Sequence, residues 1–174
     1  MFPLILKPIE ARAQELRVWV QTHGDREEGM DEVLLTDGEP ADKAIADIER
    51  IVYDGGGDPA EHHLDAIEVL MNRVPWSANP LESRGAILAV LTADSKPAQS
   101  GHSPSQIGAE IKRRELLLYV VGERTPSLDE LVKAAEGLFF QISNNPSKEE
   151  MELIAGQLAA SISLSVGGVA TRAL

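Results

Sequence analysis

Two short stretches carry oxygen donors at spacings that could do chemistry. The first is Gly55-Gly56-Gly57-Asp58-Pro59-Ala60-Glu61. Its glycines permit a tight turn with exposed backbone, and Asp58 and Glu61 offer hard oxygen ligands for a divalent cation. As plain structure, the same residues make a turn in which Asp58 caps a helix and Pro59 fills its first position. On spacing alone that capping role is favoured. As a phosphate cradle the stretch fails, because neither GxGxxG nor GxxxxGK is present. The second stretch is Thr92-Ala93-Asp94-Ser95. Asp94 either meets a cation at a strand end or caps a loop amide, and both readings stand.

His62, His63 and His102 are the remaining candidates. Adjacent histidines on a helix point about 100° apart, so His62 and His63 do not readily share one metal. No HExxH is present, and the two read as a partly exposed pair beside the Gly loop. Nucleophilic catalysis has little support: there is no GxSxG, and no cysteine to act as nucleophile, disulfide or thiolate ligand.

The elements that must position these residues alternate in type. Residues 9–16 carry Ile9, Ala13 and Leu16 at helical spacing. Arg17–Thr22 and Glu32–Thr36 read as strands of a hairpin across the polar turn 23–30, and Asp37-Gly38-Glu39-Pro40 reads as a break. Ala44, Ile45, Ile48, Ile51 and Val52 form one helical face, as do Leu64, Ile67, Leu70, Met71 and Val74. Ala86–Thr92 and Leu116–Val121 are short, wholly apolar runs, which implies strands buried on both faces of a parallel sheet. Helices follow over 105–115 and after Ser127, which pairs with Glu130 as a capping box. Leu138–Ile142 is the last strand, and a helix opened by Ser147 and Glu150 runs to about Ser161. This order predicts a doubly wound α/β fold, its mainly parallel sheet covered by helices on both faces. Ligands bind at the carboxyl ends of such strands, which directs attention to the loops after Val52, Thr92 and Val121.

Bulk properties agree with one globular domain: 174 residues, 43% hydrophobic and 25% charged. Aromatics are 4%, so Leu, Ile, Val and Ala must build the core. A net charge of −12 argues against nucleic acid, which needs a positive footprint. No stretch approaches the roughly 20 apolar residues of a membrane span. Met1–Pro8 is too short for a signal peptide, so the cytoplasm is the default location.

Taken in order, Tyr53–Glu61, Leu64-Asp65-Ala66-Ile67, Pro75-Trp76 and Ala86–Asp94 resemble the von Willebrand factor A family, especially its bacterial and hemicentin-like members. Leu117–Gly122, Leu128–Leu131 and Gly137–Phe140 look like that family's closing elements, and the likeness extends to about Ser161. The resemblance implies a Rossmann-like domain over 1–162, with 163–174 a weakly structured tail. It implies a divalent cation, Mg²⁺ or Mn²⁺, weakly held near Asp58 and Asp94 and completed by a carboxylate from a protein partner. It implies a scaffold or adaptor rather than an enzyme. The rival readings are a metal-dependent hydrolase using Asp58, Asp94 and His62 or His102, and a structural domain with a non-functional metal site.

The family's DxSxS motif and the strand before it have no counterpart in residues 1–174. In a sheet of order 3-2-1-4-5-6 that strand is central. The expected outcome is direct pairing of Arg17–Thr22 with Ala86–Thr92; the alternatives are filling of the slot by Ile162–Val166 or by another chain.

Overall fold

A computed structural model describes residues 1–52, 60–91, 93–143 and 145–167, so Asp58 and Thr92 lie outside the described residues. The chain divides into two compact units. One combines Met1–Val20, Leu34–Val52 and the C-terminal segment from Asn145. The other combines Gln21–Val33 and the segment that ends at Asn144.

In the second unit, strands β3 (Ala86–Leu91), β4 (Leu117–Gly122) and β5 (Leu138–Gln141) form a parallel sheet in the order β3-β4-β5. The register runs from Ala86 opposite Leu117 to Leu91 opposite Gly122, and from Tyr119 opposite Leu138 to Gly122 opposite Gln141. Helices α3 (His63–Arg73), α4 (Pro104–Arg113) and α5 (Pro126–Ala135) flank it, the α/β arrangement that the alternation implies. From Leu118 to Gly122, β4 is buried at every position. The edge strand β3 is not, and Val90 is 40% exposed, so burial on both faces holds for the middle strand alone. Gly122 permits the close approach of β3 to β4: a Cβ there would stand 2.2 Å from the Leu91 carbonyl oxygen.

Helix starts follow local chemistry. Ser103 caps α4 in a full capping box with Gln106, with Pro104 just inside. Thr125, not Ser127, caps α5, and Pro126 is its first residue. The proline explains the correction, because Thr-Pro is itself a start signal and moves the cap two residues upstream. Helix α3 begins at His63 with His62 as N-cap.

The first unit contains α1 (Phe2–Glu10), β1 (Val18–Thr22), β2 (Val33–Glu39), α2 (Ala41–Ile48) and α6 (Lys148–Gly167). Although β1 and β2 are assigned here, their inner ends, Gln21, Thr22 and Val33, fall in the other unit. The first helix lies upstream of the expected 9–16. Pro3 sits in its first turn, where no amide hydrogen is needed, and it continues through Pro8. Strand β2 runs through Asp37-Gly38-Glu39, where a break was expected. Gly38 makes this possible, with φ of +70° and the Trp19 ring 2.9 Å from where a Cβ would stand. Helix α2 stops at Ile48, and Val52 is 85% exposed rather than on its apolar face.

Strand β1 pairs with β2, in a sheet separate from β3-β4-β5. The expected direct pairing of Arg17–Thr22 with Ala86–Thr92 is therefore not formed among the described residues. Nor is Ile162–Val166 a strand: α6 continues past Ser161 to Gly167. Its buried Ile154, Ala155, Leu158, Ala159 and Ile162 repeat at helical spacing, which decides for helix over strand.

Candidate functional site

Asp94 stands three residues beyond the end of β3, at the carboxyl side of the parallel sheet. Its Oδ1 accepts the Ser95 N–H at 2.9 Å and a short hydrogen bond from the Ser127 hydroxyl in the first turn of α5. Burial opposes its charge. The hydroxyls of Ser127 and Thr125 and the amides of Ser95 and Ser127 outweigh that and hold the carboxyl below its usual range.

The backbone ties this loop to the segment entering α3. The Glu61 N–H donates to the Asp94 carbonyl at 3.1 Å, and the Lys96 N–H donates to the Glu61 carbonyl at 2.8 Å, a parallel bridge between Glu61 and Ser95. The Ser95 hydroxyl oxygen accepts the Leu64 N–H at 3.1 Å, so the first turn of α3 rests on the Asp94 loop. The two stretches singled out in the sequence thus meet at Glu61 and Asp94.

A charged network lies in the same unit. Lys96 Nζ reaches Asp25 Oδ2 at 2.6 Å and Glu27 Oε2 at 2.8 Å. His62 Nδ1 lies 3.1 Å from Asp25 Oδ1. The Arg26 guanidinium joins Glu32 at 2.7 Å, Asp65 at 3.2 Å and the Gln99 side chain at 2.8 Å. Together these hold residues 25–32, α3 and the 96–99 loop in one arrangement. Sequence spacing could not reveal this, because Asp25 and Lys96 are 71 positions apart.

His62 and His63 are both buried, not the partly exposed pair expected, and they have different partners: His62 faces Asp25 and His63 faces His23. His63 Nδ1 shares a 2.7 Å hydrogen bond with His23 Nε2, the rings meeting edge to face. His63 Nε2 is buried without a hydrogen-bond partner. Burial first, then the neighbouring His23, holds the His63 pKa down to about 4, against the opposing pull of the Ala93 carbonyl and the Asp94 carboxylate. His102 is elsewhere, with Nδ1 2.7 Å from Glu68 Oε1 beside an open cleft of about 820 Å³ that Asp94 does not line.

Among solved structures, the chain is similar to the crystal structure of the SpRpn10 VWA domain. The TM-score is 0.64 at 13% identity, over 91% of this chain and 78% of that one. The fold is that of a von Willebrand factor A domain. No family model matches the sequence. No curated protein matches it either.

In this von Willebrand factor A fold, Asp94 is the one residue of the expected metal pair that is described. No three His, Asp or Glu side chains converge to hold a cation among the described residues. With Asp94 Oδ1 already accepting two hydrogen bonds, the described residues fall short of the near-octahedral oxygen shell that Mg²⁺ demands. The rival hydrolase set is dispersed as well: His62 engages Asp25 and His102 engages Glu68, and no hydrogen bond or ion pair joins either to Asp94. Ser127, read from the sequence as a helix cap, instead holds Asp94. Its Thr-Pro prefix was the available signal that the cap lies upstream.

Proposed function

We propose that this chain is a protein-binding module, a scaffold or adaptor rather than an enzyme, and that its partner docks at the loops around Asp94. The observation behind this reading is the Asp94 carboxylate, fixed at the carboxyl end of β3 by the Ser127 hydroxyl and the Ser95 amide. Parallel α/β sheets present their ligand sites at that end. Among the described residues no general acid–base pair is assembled beside it, which favours binding over turnover.

Mg²⁺ or Mn²⁺ is the cation this reading implies, because the donors are oxygens and the chain has no cysteine. Asp94 and Asp58 supply two carboxylates, and a carboxylate from the partner supplies a third. Residues 1–174 lack a DxSxS motif, so affinity in the absence of a partner is weak. Isothermal titration with Mg²⁺ and Mn²⁺ tests this on the wild type, Asp94→Ala and Glu39→Ala, the last being an exposed carboxylate on β2. Only Asp94→Ala should lose the heat of binding. Equal losses in both variants would mean diffuse attraction to an acidic surface, and no binding in the wild type would remove the cation from the proposal.

A further inference from the structure

The two edges of the parallel sheet differ. The Leu117 N–H donates to the Gly85 carbonyl at 3.0 Å, and Ala86 stands opposite Leu117. In a parallel ladder this register turns the backbone groups of Ile87, Ala89 and Leu91 towards β4. Those of Ala86, Leu88 and Val90 then point to the outer edge. Among the described residues no strand pairs with that edge, and no backbone hydrogen bond reaches those groups. The β5 edge is shorter. The Ile142 N–H donates to the Gly122 carbonyl and Gly122 stands opposite Gln141, so β5 turns only Phe139 and Gln141 outward.

Native edges are commonly blunted by charge, proline or a bulge. Strand β3 has none of these. Ala86–Leu91 contains no charged residue and no proline, and its register against β4 runs without interruption. Its side chains are apolar on both faces. Ile87 and Leu91 are buried on one, and on the other Ala86 and Leu88 are half-buried and Val90 is exposed.

We infer that the outer edge of β3 is a docking site for an extended apolar segment of a partner protein, which joins the sheet as an added strand. The chemistry of the edge selects this occupant. Evenly spaced N–H and C=O groups at Ala86, Leu88 and Val90 are satisfied by an extended backbone and not by a helix, whose own backbone groups are paired internally. Apolar neighbours on both faces call for an uncharged run of about five residues, the pattern of a strand covered on both sides. The net charge of −12 favours basic residues flanking that run and disfavours a second copy of this chain. The edge ends three residues before Asp94, so it is continuous with the loops proposed above as the docking surface. The inference rests on that reading only in taking the partner to be a protein.

Amide hydrogen exchange read by NMR on the full chain tests this. The probe is a peptide of five alternating valines and isoleucines between paired lysines. A control peptide of the same charge carries prolines at the second and fourth positions of the run. The measurements are made in EDTA, so the cation reading and this one fail separately. In the free chain the amides of Leu88 and Val90 should exchange at least tenfold faster than those of Ile87 and Ala89. The probe should slow Leu88 and Val90 at least tenfold, and the control should not. Leu88→Pro deletes an outward N–H and leaves the inward ladder whole, and Val90→Lys places a charge on the edge. Each should weaken probe binding at least tenfold with circular dichroism unchanged; if Leu88→Pro does not fold, Val90→Lys decides alone. Leu88 and Val90 amides as protected as Ile87 in the free chain would overturn the inference, as would equal binding of the two peptides or full binding by Val90→Lys. Slowing of Leu88 and Val90 with protein concentration alone would give the edge to a second copy and overturn the assignment to a partner.

Discussion

The unit that holds β3, β4 and β5 and the unit that holds most of β1 and β2 differ in how far their strands are buried. The first packs Leu64, Ile107, Ile111, Leu118, Leu128 and Leu131, all essentially inaccessible, around its sheet. The second buries Ile5, Ile9, Ile154, Leu158 and Ile162 with Ala41, Ala44, Ala155 and Ala159, all on helices. Strand β4 is buried along nearly all its length, whereas no position of β1 is fully buried and only Thr36 of β2 is. Asp94 and all four histidines fall in the unit that holds β3, β4 and β5. The candidate site is therefore carried by the unit whose backbone is fixed by ladder hydrogen bonds on a well-filled core, where a loop carboxylate can be held in one geometry.

Truncating one leucine in each unit gives the largest expected effects. Leu131 on α5 is wholly buried in the core beside the three-stranded sheet, and α5 packs closely on α4. Leu131→Ala should cost about 4 kcal/mol, near the upper end for such truncations, because a ladder-fixed surround relaxes little. Leu158→Ala, on a helix packed against another helix, should cost about 2–3 kcal/mol, because helices can settle into part of the cavity. Urea denaturation of both variants measures the difference, and equal losses would remove the proposed contrast in rigidity.

The same contrast governs what could be read from the sequence. The parallel unit was legible because Ala86–Leu91 and Leu117–Val121 are continuous apolar runs separated by a helical pattern, and that order leaves few topologies. The other unit was less so. Phe2–Glu10 contains two prolines that discourage a helix reading, and the turn signal Asp37-Gly38 sits inside β2, where the Trp19 ring covers the glycine. At the site, Asp94 was visible as a carboxylate after a strand, but Ser127 was not visible as its partner. They are 33 positions apart, and the capping pattern offered Ser127 a local role. Burial of His62 and His63 was hidden for a similar reason: the partners Asp25 and His23 are reached through the fold, not along the chain.

Acidification separates the units through the histidines. His63 is held from its ordinary 6.5 down to about 4, and burial also lowers His23 against the pull of Glu32. With folded pKa values below the unfolded ones, the unfolded chain binds more protons in the window between them. Nothing is lost above about pH 6.5, and stability then falls as pH drops towards 4. For His63 alone the full loss is on the order of 3 kcal/mol. Hydrogen exchange corrected for intrinsic rates at pH 7 and pH 5 should show protection declining in β4 and α3, but not in α6, whose unit contains no histidine. In a double variant carrying His23→Phe and His63→Phe the decline should flatten. If it persists unchanged, other groups drive the acid response.

The smallest expected effect bears most directly on the site. Ser127→Ala removes the hydroxyl that donates to Asp94 Oδ1 and leaves the Ser95 amide in place. One hydrogen bond to a partly buried carboxylate contributes about 1 kcal/mol net, so α5 and the core should remain intact. The sign of its pH dependence is opposite to that of the histidines in origin, though it too weakens the fold in acid. The folded pKa of Asp94 is depressed, so its contribution is present above the unfolded value and is lost as pH falls through the folded one. Without the Ser127 hydroxyl, burial is opposed by fewer donors and the carboxyl titrates higher. The contribution shrinks at neutral pH, and less stability remains to be lost below pH 4. Carboxyl-carbon NMR titration should place Asp94 higher in Ser127→Ala than in the wild type, with other carboxylates unmoved. An unchanged Asp94 titration would mean that the Thr125 hydroxyl and the backbone amides hold the charge, and that Ser127 only completes the packing at the start of α5.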